Sequence, residues 1–234
     1  MLKEVADNSR QGKLKLKNSL SDISHQLKTP LTSITILIDN IIDNPDMDKG
    51  TRNEFAKDIK REITNINFLV QSLLKLSKLD ADSVKFTNVN VSIAEIIKKS
   101  VKNVSVLCDL KNVEIEVKGS NKSKVYCDMN WQVEAITNVL KNCVEHSNSN
   151  SKILVNYEEN QVYSKIEIRD NGIGICKADL PHIFERFYKG KYSSSESVGI
   201  GLALSKTIIE SNNGYIDVES EVGKGSIFTI KYYK

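Results

Sequence analysis

The chain has 234 residues, enough for two modest domains that each bury a core. Its 33 basic and 30 acidic residues are interspersed and leave a net charge of +3, too even a balance to imply a nucleic-acid partner. No apolar run reaches the roughly 18–20 residues of a membrane span, and the widely spaced Cys108, Cys127, Cys143 and Cys176 lack metal or redox spacing, which suits reduced thiols in a cytosolic compartment.

From Ser9 to Asp43 the pattern is helical. Leu20, Ile23, Leu27, Leu31, Ile34, Ile38 and Ile41 recur at steps of three and four, as in a seam buried against other helices. With that seam inward, His25 falls on the outermost side of the helix, and Thr29 lies one turn on along the same face. Pro30 has no N–H, so the carbonyl of Gln26 loses its helical partner and a bend is expected there. A histidine displayed beside such a distortion packs against nothing. It is either idle or a reactive group offered to a partner.

Asn44 to Gly50 is a cluster of turn residues. A second helical pattern follows, with Phe55, Ile59, Ile63, Ile66, Val70, Leu73 and Leu76 on one face. The two helices make a hairpin whose apolar stripes outnumber the surfaces able to cover them. Pairing with a second copy closes a four-helix bundle, so a homodimer is expected. The helical pattern stops around Ala81 to Asn88, which divides the chain into residues 1–82 and 83–234.

Beyond that boundary strands and helices mix. Thr87 to Val91 reads as a strand and Ser92 as the N-cap of a helix through Val106. Val113–Val117 and Lys124–Cys127 read as short strands, and Met129–Glu145 as a helix. Ile153–Tyr157 and Val162–Arg169 form a hairpin, Gly199–Ser211 a helix, and Tyr215–Glu219 and Ser226–Tyr232 the closing strands. This order predicts an α/β sandwich with helices on one face of a mixed sheet.

Four clusters in this second part bear on chemistry. Asn138 and Asn142 lie four apart on one helix face; their amide oxygens suit Mg²⁺ bridging phosphates, or simply a solvated surface. Asp170-Asn171-Gly172-Ile173-Gly174-Ile175 follows a strand, where an acid can accept from an exocyclic amine and the glycines allow tight backbone, or where an ordinary turn can form. Gly199-Ile200-Gly201-Leu202-Ala203-Leu204 opens a helix whose first N–H groups suit an anion. Between them, Phe184-Glu185-Arg186-Phe187-Tyr188-Lys189-Gly190-Lys191 and Ser193, Ser194 and Ser195 have the composition of a lid with an aromatic anchor and cations at its tip.

The order and spacing of these clusters resemble the sensor histidine kinases of bacterial two-component systems. His25-Gln26-Leu27-Lys28-Thr29-Pro30-Leu31 resembles the phosphoacceptor box, and Asn138 to Asn142 the asparagine box. Asp170–Ile175, Phe184–Tyr188 and Gly199–Leu204 resemble the first glycine, phenylalanine and second glycine boxes, and Gly223-Lys224-Gly225 the small turn before the last strand. The resemblance implies a dimerisation and phosphotransfer hairpin followed by a Bergerat-type ATP-binding sandwich. It implies ATP and Mg²⁺ as ligands, with Asn142 on the metal, Asn138 near the phosphates and Asp170 on the adenine amine. Gly172, Gly174, Gly199 and Gly201 then shape the cleft, and Arg186 and Lys189 face the nucleotide. His25 attacks the γ-phosphate and hands the phosphoryl group to an aspartate on a response-regulator receiver domain. Such a chain belongs on the cytoplasmic side, attached to the membrane only through an N-terminal sensor part that is absent here.

Four positions bear on that expectation, and two of them, Gln26 and Glu145, depart from the usual pattern. Asn138 stands where the ATP-hydrolysing gyrase and chaperone relatives carry a glutamate that activates water, which favours transfer over hydrolysis. Gln26 stands where the family commonly has an acid beside the histidine; it can hold a tautomer but carries no charge to support a developing imidazolium, so slow autophosphorylation is expected. Glu145 stands where many relatives have a phosphate-contacting lysine, with Lys141, Arg186, Lys189 and Lys191 as candidates to compensate, among which the sequence does not choose. Thr29 fits the position that orients water for dephosphorylating the regulator. Gln26 and Glu145 keep open a second reading, an ATP-binding module impaired as a kinase and acting mainly as phosphatase or scaffold. His146 reads as structural or as a neighbour of the nucleotide, and His182 has no assigned role.

Overall fold

In the computed structural model the chain forms two compact units, residues 1–71 and 72–234. The structure describes residues 2–81, 83–120, 122–191 and 198–234, with side chains from residue 21 on. Ser193, Ser194 and Ser195 of the lid segment and the side chain of Leu20 lie outside the described residues.

The first unit is a helical hairpin. Helix α1 spans Leu2–Asp43, starting earlier than the periodicity indicates because residues 2–8 are mostly good helix formers without Gly or Pro. It continues through Pro30 without interruption. The hydroxyls of Thr29 and Thr35 donate to the carbonyls of His25 (3.3 Å) and Leu31 (3.0 Å) within the same helix. Asp48 caps helix α2, Lys49–Asp80, taking the Thr51 N–H at 3.0 Å and the Thr51 hydroxyl at 2.5 Å. The Arg52 guanidinium closes the turn on the Pro45 carbonyl at 2.7 Å.

Inside the hairpin Ile23, Leu27, Ile34 and Ile41 of α1 and Phe55, Ile59, Ile66 and Leu73 of α2 are half-buried. Beside them runs a second stripe that stays in solvent. Leu31, Ile38 and Ile42 on α1, and Ile63, Val70 and Leu74 on α2, are 39–68% exposed. Both triplets follow the spacing i, i+7, i+11, which at about 100° per residue keeps each within a band about 40° wide.

The second unit begins inside α2, because Ser72, Leu76 and Leu79 are buried with the sheet-bearing part of the chain. Lys75 adds an ion pair to Glu134 at 2.8 Å. Strand β1 (Val89–Ser92) pairs antiparallel with β3 (Lys124–Cys127). Strands β2 (Glu114–Gly119), β4 (Lys152–Glu159), β5 (Tyr163–Arg169), β6 (Gly214–Glu221) and β7 (Gly225–Tyr233) form a five-stranded sheet of order β2-β4-β5-β7-β6. Only β2 and β4 run parallel.

The sheet alternates cleanly. Tyr157, Ile166, Ile230 and Ile216 stand side by side across four strands and are all buried. Their neighbours on the other face are charged or polar, as in the Lys165–Glu167 pair at 3.0 Å. Helices α3 (Ile93–Lys111), α4 (Met129–His146) and α5 (Gly201–Glu210) pack together over the apolar face. Helix α3 runs past the expected Val106 to Lys111, where Asn112 turns left-handed at φ 54°. Its last turns hide this from periodicity, since Val106 and Leu110 face solvent. Ser92 precedes α3 without a side-chain cap, whereas Asp128 caps α4 through the N–H groups of Asn130 (3.0 Å) and Trp131 (3.4 Å).

Helix α4 is the centre of the unit, with Ala135, Ile136, Val139, Leu140, Cys143 and Val144 fully buried. Ser100 of α3 and Ser205 of α5 donate to its Val133 and Ala135 carbonyls at 3.2 and 2.9 Å. Tyr232 of β7 donates its hydroxyl to Gln132 Oε1 at 2.6 Å, with both side chains buried. Removing that hydroxyl strands the acceptor. Tyr232→Phe should lower the unfolding free energy by about 1–3 kcal/mol, read as a shifted denaturant midpoint at unchanged slope.

Candidate functional site

In the hairpin, His25 is exposed on the outer face of α1, while Ile23 and Leu27 turn inward. Among the described residues its imidazole has no hydrogen-bond partner, and Gln26 makes no bond to it. Thr29 sits one turn away and its hydroxyl is engaged by the His25 carbonyl.

In the second unit the residues singled out from the sequence fall on α4, the loop after β5, and the start of α5. Asp170 directly follows β5 and is buried. Its Oδ1 accepts the N–H groups of Gly172 at 2.9 Å and Ser226 at 3.2 Å, and the Cys143 thiol of α4 bonds to it as well. Burial still pushes the Asp170 carboxyl above the usual carboxylate range, against those bonds. Burial first, and then the nearby Asp170 charge, pushes the Cys143 thiol well up. His146, at the end of the same helix, is held down by burial.

The glycines of the loops are shaped by protein rather than by open space. A Cβ on Gly172 would stand 2.2 Å from the His146 carbonyl oxygen. Gly174, at φ +70°, would meet the Glu221 carbonyl at 2.1 Å, and Gly199, at φ +71°, the Tyr188 carbonyl at 2.5 Å. All three positions need glycine because two backbones touch there, and at Gly174 and Gly199 the chain is also left-handed. Gly201 differs: its nearest neighbour is the Asn138 side chain at 3.7 Å, an ordinary contact.

Asn138 is buried and its Nδ2 has no hydrogen-bond partner. A buried donor in that condition is costly, and it stands ready for an acceptor that the described residues do not supply. Asn142, one turn on, is half-buried. Among the described residues no three His, Cys, Asp or Glu side chains are grouped to hold a metal. A cation here would need an amide ligand and the oxygens of its own ligand, as Mg²⁺ on a phosphate ester does.

The segment after Gly174 is built from turns. Asp179 organises it, accepting the Tyr188 hydroxyl at 2.7 Å on one oxygen and the Lys191 N–H at 3.1 Å on the other. That bond pushes Tyr188 up to about 12. Phe187, at φ 64°, donates its N–H to the Gly199 carbonyl at 2.8 Å. His182 pairs with Glu185 at 2.9 Å. Of the cations named as candidates, Lys141 lies 3.6 Å from Glu145 and Arg186 lies 2.7 Å from Asp80, while Lys189 has no ion-pair partner among the described residues. The acid at 145 is therefore partly neutralised on its own helix.

The sequence drew no attention to Cys143, Ser226, Asp179 or Asp80. Cys143 reads as core, and the other three gain their roles only through partners distant in the chain.

Comparison with known proteins adds the following. Residues 15–82 match the model of the His Kinase A (phospho-acceptor) domain, and residues 128–233 that of the histidine kinase-, DNA gyrase B- and HSP90-like ATPases. The sensor protein SrrB of Staphylococcus aureus is 28% identical over 232 residues, covering 93% of this chain and 38% of SrrB. The chain thus spans well under half of such relatives. Two solved structures share its fold. The Acinetobacter baumannii histidine kinase AdeS gives a TM-score of 0.72 at 23% identity, over 89% of this chain and 97% of the other. The histidine kinase ThkA, solved in complex with the response regulator protein TrrA, gives 0.73 at 19% identity, over 96% and 64%.

The raised Asp170 carboxyl has a consequence for stability. A folded-state pKa above the unfolded 3.8 adds stability that is fully present below 3.8 and is lost as pH rises through the folded value, so ionised Asp170 is a net cost at neutral pH. Asp170→Asn keeps an oxygen for Gly172 and Ser226 and removes that cost. Its thermal midpoint at pH 7 should equal or exceed that of the parent, with the difference vanishing in acid.

Proposed function

We propose, from the likeness of residues 15–82 and 128–233 to the two family models, that the chain is the catalytic part of a sensor histidine kinase and moves the γ-phosphoryl group of ATP to His25 and then to an aspartate of a response-regulator receiver domain. The observation that carries this is the placement of His25: exposed, without a side-chain partner, inside the matched phosphoacceptor segment. We divide the chain functionally into residues 1–82, the phosphotransfer hairpin, and 83–234, the ATP-binding domain.

Asp170 has one oxygen engaged by two backbone N–H groups. Its other oxygen serves the exocyclic amine of adenine, which relieves part of the burial cost. The unpartnered Nδ2 of Asn138 donates to the phosphates. Asn142 would hold Mg²⁺, which supplies charge neutralisation on the phosphate oxygens. Lys189 and Arg186 add positive charge from the base of the lid, and Gly172, Gly174, Gly199 and Gly201 hold the surrounding backbone. The His25 Nε2 forms a bond to the γ-phosphorus as the bond to the β-bridging oxygen breaks, leaving ADP; positioning does most of this work. Asn138 offers no base for water, so transfer is favoured over hydrolysis.

The exposed stripes Leu31-Ile38-Ile42 and Ile63-Val70-Leu74 give the hairpin its second partner, another copy of the chain. Similarity to a sensor protein, over a minor part of its length, supports a place on the cytoplasmic side of a longer, membrane-attached receptor. Among the described residues no helix is long and apolar enough to cross a membrane.

Radiolabel from γ-labelled ATP should appear as an acid-labile, base-stable phosphate and vanish in His25→Ala. Gln26→Glu supplies the missing charged base and should raise the autophosphorylation rate at least about tenfold at saturating ATP; an unchanged or lower rate refutes the assignment of Gln26. Asp170→Asn, folded as above, should lose about 10- to 100-fold in ATP affinity, as expected for one hydrogen bond to a charged group. Thr29→Ala should impair dephosphorylation of the regulator and spare autophosphorylation, because its hydroxyl does not touch the imidazole; a parallel loss of both activities contradicts separate roles.

A further inference from the structure

The last turn of α2 and the base of the lid meet in one ion pair. Asp80 Oδ1 accepts from Arg186 Nη2 at 2.7 Å. Neither backbone is loose. On the α2 side Leu76 and Leu79 are buried and Lys75 is tied to Glu134 of α4 at 2.8 Å. On the lid side Phe187 is bonded to Gly199, and Tyr188 to Asp179. Two ordered segments therefore present opposite charges to each other, which lowers the entropy lost on pairing.

We infer that Asp80 sets the affinity of the nucleotide site by sequestering Arg186. The guanidinium keeps its charge at all working pH values and has a limited fork of donors. While Asp80 holds one arm of that fork, the positive charge is partly neutralised and held at the end of α2. A triphosphate recruits Arg186 only by outcompeting a carboxylate already in place. Asp80 is thus a positioning residue that acts through Arg186 and need not touch the nucleotide. This rests on the proposed role of Arg186 as a phosphate contact.

The pair is 37% and 46% exposed, which limits its strength to that of surface pairs, and so the effect to about two- to fivefold in binding. The test is equilibrium binding of a non-hydrolysable ATP analogue with Mg²⁺ to the full chain and four variants. Asp80→Asn should bind about two- to fivefold tighter, and Asp80→Glu, which restores the charge, should return to the parental value. Arg186→Ala should bind more weakly, and Asp80→Asn added to it should change nothing further. Unaltered or weaker binding by Asp80→Asn, with Arg186→Ala still impaired, overturns sequestration and leaves the phosphate role of Arg186 intact. A tightening that persists in the double variant overturns it too, since the effect is then general charge. No change in Arg186→Ala overturns both the phosphate role and the inference built on it.

Discussion

The second unit is assembled around one buried carboxylate. A charge taken out of water must be hydrogen-bonded, and Asp170 is bonded from three directions: by Gly172 in its own loop, by Ser226 at the start of β7, and by the Cys143 thiol on α4. The end of β5, a glycine loop, a neighbouring strand and the central helix are thereby fixed to one point. The bonds do not fully offset the cost of burial, as the raised pKa shows. The deficit is localised at one group that an amine-bearing ligand can satisfy. Asn138 repeats the pattern with opposite polarity, a buried donor with no acceptor among the described residues.

The hairpin is incomplete in another way. Its helices cover each other along one flank and leave a parallel stripe of Leu, Ile and Val in solvent. His25 sits away from both stripes, on the side that packing does not need. The apolar stripes and the imidazole are thus segregated around one helix: the stripes leave the imidazole clear, and the imidazole does not interrupt the stripes.

Much of this was legible in the sequence. The 3.6 period marked α1 and α2, and the alternation of Ile166 and Ile168 with Glu167 and Arg169 marked β5, because each element has one face in a core. The end of α3 was not legible, since Val106 and Leu110 put apolar side chains in solvent and blur the period. The site residues were found as local patterns, but their partners were not. Ser226 and Asp170 are 56 positions apart and Arg186 and Asp80 are 106 apart, distances over which composition carries no register. The glycines were noticed for a possible ligand, yet Gly172, Gly174 and Gly199 are required by carbonyl oxygens of the chain itself.

That last point separates what can drift in such a protein from what cannot. At Gly225, as at Gly172 and Gly174, one added methyl would land about 2 Å from a carbonyl oxygen, here that of Asp170, and push apart the backbones that aim the buried acid. Those positions accept no gradual change, because the smallest possible side chain is already too large. Among the described residues, the segment between the turns is held by Asp179 to Tyr188 and Lys191, by Phe187 to Gly199 and by Arg186 to Asp80, contacts that leave room for a side chain where those glycines leave none. A lineage that keeps the buried acid in place therefore keeps these glycines with it.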